Sequence, residues 1–245
     1  MHLTASVLHL RGRACVDQPV RDGGGNVLAW NGEIFGGGIA VARGESDTHA
    51  LLAALGSGRP VPEIMSAVDG PWAFAYWHAE SRTLWYGRDR LGRRSLLRAE
   101  SGGALALCSL ATPLDALAPE LAASTWHELP TDGIGCARFP ALGLDPPTAE
   151  WHARARPRVD GGLLPPTWAS PAPAHAQSAA AALLHTLSEA VRVRVNDVPR
   201  GAPGALGTHR APITPGAREA RVGVMFSGGI DSLVLAALAD AHLPP

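Results

Sequence analysis

The chain has 245 residues, 46% of them hydrophobic, with a formal net charge of −1. That length suits one large or two modest domains, and the apolar content excludes wholesale disorder. The near-neutral charge gives no strong field for nucleic acid or an anionic membrane surface, and all 21 basic residues are arginine, which excludes a Schiff-base or phosphate-loop lysine.

Cys15, Cys108 and Cys136 are widely spaced and match no zinc pattern, and the ten histidines are scattered. No metal is assigned on this basis. No segment approaches the roughly 20 apolar residues of a membrane span. The opening residues lack the sustained apolar run of a signal peptide. A soluble cytoplasmic protein is expected.

In chain order, residues 25–35 read as a strand entering a turn at Asn31-Gly32, where positive φ is tolerated. Residues 46–58 read as a short helix, with Ser46 or Asp47 as cap and Leu51, Leu52 and Leu55 on its apolar face. Residues 70–89 alternate with period two. Trp72, Phe74 and Tyr76 share one face, Ala73, Ala75 and Trp77 the other, and residues 78–82 make the turn of a hairpin. From about 144 to 177, Pro, Ala and Gly dominate and a linker is expected. Residues 178–195 carry a helical stripe of Leu183, Leu184, Leu187, Ala190 and Val191. A loose insertion at 196–220 then leads to a strand at 222–226, apolar enough to be covered on both sides. Gly228 and Gly229 let the backbone turn there. A helix over 231–241 follows, with its N-terminus placed for a phosphate.

Ser227-Gly228-Gly229-Ile230-Asp231-Ser232 resembles the phosphate loop (PP-loop) of the N-type ATP pyrophosphatases. Upstream, Trp30 to Phe35 (WNGEIF), Ser46-Asp47-Thr48, Gly70 to Trp77 (GPWAFAYW) and Gly87 to Leu97 (GRDRLGRRSLL) occur in that order. Together these segments resemble the class II glutamine amidotransferase domain of asparagine synthetases, with a divergent animal branch of that family the nearer likeness.

The resemblance implies an α+β N-terminal domain over residues 1–150, an Ntn-hydrolase-like αββα sandwich missing its first elements. A Pro/Ala-rich linker at 151–177 follows. Residues 178–245 would open an α/β adenine-nucleotide α-hydrolase-like (PP-loop) domain, too small to be stable by itself. Asn31 and Gly32 would be the remnant of an oxyanion hole, and Asp47 would hold the α-amino group of glutamine. Read without the resemblance, Asn31-Gly32 is equally a simple turn and Asp47 a helix cap. Arg88 and Asp89 would form an ion pair shaping the domain. Phe226, Ser227, Gly228, Gly229, Asp231 and Ser232 would hold ATP and its pyrophosphate, accompanied by Mg²⁺. Glutamine and aspartate would be the small-molecule substrates, with no nucleic acid and no membrane partner; the oligomeric state stays open.

The family nucleophile is a cysteine at the mature N-terminus, whose own α-amine serves as base. Here the first residues are Met1-His2, and Cys15 is internal. Leu8 or His9 falls where an arginine should clamp the glutamine carboxylate, with Arg11 offset, and His49 replaces a glutamate. These departures predict no glutaminase activity and a chain cut at both ends. Two further readings stay open: an adenylating synthetase with a lost glutaminase, as in β-lactam synthetases, and a catalytically dead scaffold.

Overall fold

A computed structural model describes residues 2–113, 115–141, 146–154, 173–198 and 222–243. In chain order the elements are β1 (Val20–Arg21), β2 (Val27–Gly32), β3 (Gly36–Gly37), α1 (Asp47–Leu55), α2 (Val61–Ser66), β4 (Val68–Asp69), β5 (Trp72–His78) and β6 (Thr83–Arg88). They continue with β7 (Leu97–Ser101), β8 (Ala104–Cys108), β9 (His127–Glu128), β10 (Gly133–Arg138), β11 (Thr148–Ala153), α3 (Pro173–Val195) and α4 (Ile230–His242). The chain divides into two compact units. Unit one comprises residues 1–9 and 14–156, and unit two comprises residues 10–13 and 157–245.

Unit one is built on a six-stranded antiparallel sheet in the order β1-β2-β5-β6-β10-β11. The turn joining β1 to β2 is set by Asp22, whose Oδ1 accepts the Gly24 and Asn26 amides at 2.9 Å, an Asx-type closure. The alternation of β5 is realised on both faces. Trp72, Phe74 and Tyr76 pack with Leu28, Trp30 and the α1 and α2 residues Leu51, Leu55 and Ile64. On the opposite face Ala73 and Ala75 pack with Tyr86, Leu96 and Leu129, joined by Leu105 and Leu107 of β8. Small residues on that face let the three-stranded sheet β8-β7-β9 approach. Together with the two-stranded β3-β4 ribbon, the described residues of unit one form one helical layer and three sheets, an α+β arrangement. Burying a side chain such as Phe74, 2% exposed, contributes about 1.5–3 kcal/mol.

Three expectations need correction. The linker does not begin at 144 or 151: Thr148–Ala153 is β11, paired along its whole length with β10. Its Trp151 and His152 lie in a regular ladder that the surrounding Pro-rich composition obscures. At the far end of the same stretch, α3 already begins at Pro173. The third correction concerns residues 222–226, which pair with no strand among the described residues. Val224, Met225 and Phe226 are 42%, 96% and 59% exposed, not sandwiched. A parallel strand is stable only with neighbours to take its amides and carbonyls. Unit two is therefore represented by α3 and α4, which pack together and are joined by a Ser188 to His242 Nε2 hydrogen bond of 2.9 Å. Most of the loose insertion at 196–220 lies outside the described residues. No helix among the described residues is long and apolar enough to cross a membrane.

Candidate functional site

Asn31 and Gly32 do not form a turn. They are the last two residues of β2, registered against Ala73 and Trp72 of β5. Asn31 is exposed, and Gly32 has no positive φ. Glycine is required at 32 for space. A Cβ there would lie 2.6 Å from the Pro71 carbonyl oxygen and 2.7 Å from the Trp30 ring. The segment leaving β2 is then pinned to residues 67–71. Glu33 N donates to Pro71 O at 3.0 Å, Phe35 N to Asp69 O at 2.8 Å and Gly38 N to Ala67 O at 2.7 Å.

Asp47 is 5% exposed, and its Oδ2 accepts the Ile34 amide at 3.0 Å. The carboxylate thus ties the first turn of α1 to the chain just beyond Gly32, where the helix dipole also favours its charge. Ser46 occupies the N-cap position without a side-chain capping bond. His49 is exposed on the same helix.

Arg88 and Asp89 are both buried, but they do not pair with each other. Arg88 Nη1 reaches Glu128 at 2.6 Å, while Asp89 meets Arg93 Nε at 3.1 Å. Successive residues at a strand end point to opposite faces, so their partners differ. Asp89 also accepts the amides of Trp72 at 3.0 Å, Leu91 at 3.0 Å and Arg93 at 3.1 Å. Burial alone would raise its carboxyl, but the Trp72 and Leu91 amides and the Arg93 guanidinium hold it below the usual carboxylate range. Nearby, Arg94 pairs with Glu33 at 3.3 Å. Arg154 stacks 4.9 Å over the Trp72 ring and donates to the carbonyls of Arg88 and Thr131 at 2.7 Å. Burial, reinforced by Arg90 and opposed by Asp89 and Asp132, lowers its guanidinium to about 10. These bonds fix the β2 and β5 ends on which Asn31 and Gly32 sit.

Cys15 is exposed, Cys108 is half-buried and Cys136 is buried. Burial and the Glu150 charge push the Cys136 thiol up, away from the nucleophilic thiolate. Arg11 belongs to unit two, where it pairs with Asp197 at 3.3 Å.

The serine-glycine loop of unit two has a defined local shape. Gly228 has φ +82°, which disfavours any side chain, and nothing lies within 4 Å of where a Cβ would project. Gly229 takes the N-cap position of α4. Ser232 Oγ donates to Gly229 O at 2.8 Å and lies 3.3 Å from Ser227 Oγ. Asp231 stands exposed in the first helical turn, and Phe226 is exposed on the approach to the loop.

Residues 6–116 match the family model described as a glutamine amidotransferase domain. Asparagine synthetase domain-containing protein 1 of Homo sapiens is 33% identical over 310 residues, covering 98% of this chain and 46% of the relative. The Bos taurus protein of the same name is 32% identical over 306 residues, covering 97% and 46%. The chain is therefore similar, over nearly its whole length, to part of the asparagine synthetase domain-containing protein 1 relatives. It spans about half the length of the curated relatives it matches. Among solved structures, the glutamine phosphoribosylpyrophosphate amidotransferase from B. subtilis complexed with ADP and GMP overlaps with a TM-score of 0.40 at 18% identity. That overlap covers 57% of this chain and 32% of the other, too loosely to place any residue.

The segment matched to the glutamine amidotransferase domain contains Asn31, Gly32, Asp47, Arg88 and Asp89. The structure brings Asn31, Gly32 and Asp47 to one end of β2 through the Ile34 amide. The loop residues 226–232 form a separate local feature in unit two. Sequence reasoning missed Arg93, Arg94 and Arg154 as braces. The first two lay in the quoted GRDRLGRRSLL run, but the third needed the β10–β11 pairing to place it. It also missed the convergence of Cys136, Glu150 and His152.

Proposed function

We propose that this chain carries the glutamine amidotransferase-like lobe (unit one, residues 1–9 and 14–156) and the first nucleotide-binding loop (within 178–245) of an asparagine synthetase-like protein. The overall reaction would be ATP, aspartate and glutamine-derived ammonia giving asparagine, AMP and pyrophosphate. The observation that carries the reading is the conjunction of the amidotransferase match over 6–116 with the Ser227 to Ser232 loop downstream.

The residues present fit their assigned ligands chemically. In the first lobe, the Asn31 side-chain amide and the strand-end Gly32 backbone are the donors a developing oxyanion would use. In the second, the open space around Gly228, the hydroxyls of Ser227 and Ser232 and the free N-terminal amides of α4 suit a pyrophosphate. Phe226 would lie against the nucleotide. Asp231 would hold the Mg²⁺ that neutralises phosphate charge when bound.

Titrating the chain with Mg·ATP and with Mg·pyrophosphate tests the loop. Saturable binding that Gly228→Ala and Ser232→Ala both weaken supports the reading. Binding that neither variant changes overturns it.

A second reading, a catalytically dead scaffold, is favoured by the engagement of Asp47 with the Ile34 amide. Aspartate-dependent pyrophosphate release by the complete protein would exclude it. Release without glutamine-dependent ammonia transfer would instead favour a synthetase that has lost its glutaminase, of the β-lactam synthetase kind.

A further inference from the structure

Cys136 on β10 stands directly opposite Glu150 on β11 in the antiparallel register, and His152 lies two residues along the same strand. With a side-chain period of two, all three project from one face. One ligand atom from each lies within 4.8 Å of the other two. Cys136 Sγ is 3.5 Å from His152 Nε2, and His152 Nε2 is 3.8 Å from a Glu150 oxygen.

These separations are those of metal ligands. Bonds of about 2.3 Å to sulfur and about 2.0 Å to nitrogen, opened to a tetrahedral angle, put the two atoms about 3.5 Å apart. The Glu150 side chain is 64% exposed, so its oxygen has room to close the remaining gap. The Trp85 ring sits 5.2 Å from the His152 ring at 36°, which limits the imidazole's rotation and keeps Nε2 turned toward the sulfur. Cys136 is 3% exposed and His152 partly open, so the sulfur is at the bottom of the cluster and solvent reaches it from the histidine and glutamate side. One thiolate, one imidazole and one carboxylate suit a borderline cation far better than calcium or magnesium, which prefer oxygen alone.

We propose that Cys136, Glu150 and His152 form a three-ligand site for a borderline divalent cation, zinc(II) foremost, on the β10–β11 ladder, with a fourth position open to water. Binding takes the thiol proton from Cys136 and releases it to solvent, one proton per metal. The site is independent of the glutamine and nucleotide assignments, since it uses none of their residues.

The test loads the full chain, stripped with a chelator, with zinc(II) or cobalt(II). One metal per chain is expected, with a thiolate-to-cobalt charge-transfer band. Cys136→Ser and His152→Ala abolish the band, Glu150→Gln weakens binding at least about tenfold, and Cys15→Ser and Cys108→Ser leave it unchanged. Zinc-edge X-ray absorption on the unmutated chain removes any dependence on variants that misfold. One sulfur among nitrogen and oxygen neighbours supports the site. A shell of nitrogen and oxygen alone, or no zinc retained at micromolar concentration, overturns it and leaves a thiol–imidazole hydrogen bond as the whole interaction.

Discussion

The two regions that carry family motifs are held in opposite ways. At the amidotransferase end, Trp72, Phe74 and Tyr76 are 2%, 2% and 0% exposed, and the chain beyond Gly32 is tied down by backbone bonds and by Asp47. At the serine-glycine loop, Met225, Ile230 and Leu233 are 96%, 75% and 56% exposed, and among the described residues the loop's hydrogen bonds run within 227–233. A motif embedded in a sheet takes its geometry from packing, whereas a motif at a largely exposed helix start takes its geometry from local backbone bonds.

The contrast breaks first, if it breaks, at the core. Phe74→Ala is expected to destabilise unit one by about 3–5 kcal/mol, read as a lower denaturation midpoint. A loss near zero would mean that β5 is not the central strand. Gly32→Ala is expected to cost about 1–3 kcal/mol, because its methyl would meet the Pro71 carbonyl and the Trp30 ring. The equivalent change at Gly223, with nothing within 4 Å and no positive φ, should cost a few tenths or less. Asp47→Ala leaves the buried Ile34 amide without its carboxylate partner, a loss of about 1–3 kcal/mol. Slower amide exchange at Ile34 than at Gly229 in the unmutated chain would sharpen the same contrast.

A smaller effect concerns pH. The folded-state pKa of Asp89 lies below its unfolded value, near 3.8. Its stabilisation is therefore present above about pH 4 and is lost as pH falls through the lower folded value. The melting temperature of the unmutated chain should drop on acidification below pH 4. Asp89→Asn, which has already lost the charged pair with Arg93, should show a shallower drop over the same interval. Parallel curves would remove Asp89 from the acid sensitivity. The smallest expected change is Leu233→Ser, within about 0.5 kcal/mol because the side chain is already exposed.

Much of unit one was legible. The alternation of residues 72–77 set both faces of β5, and the leucines at 51, 52 and 55 set the buried face of α1. Other features were not. The Asn31-Gly32 pair reads as a turn from composition, yet the ladder to Ala73 and Trp72 keeps it extended. The apolar run at 222–226 reads as a buried strand, yet strand formation depends on partners and none pairs with it among the described residues. Arg88 and Asp89 are adjacent in sequence, but their partners Glu128 and Arg93 lie 40 and 4 residues away.

By itself the sequence determined the resemblance to a family, the alternating strands and the run of glycines and serines ahead of α4, because residue type and short-range spacing suffice for each. Only the tertiary structure decided that Gly32 is required for space, that Asp47 braces the chain after β2, and that Cys136, Glu150 and His152 meet. Those three facts depend on which strands lie side by side and in what register, and register is fixed by packing across the whole sheet.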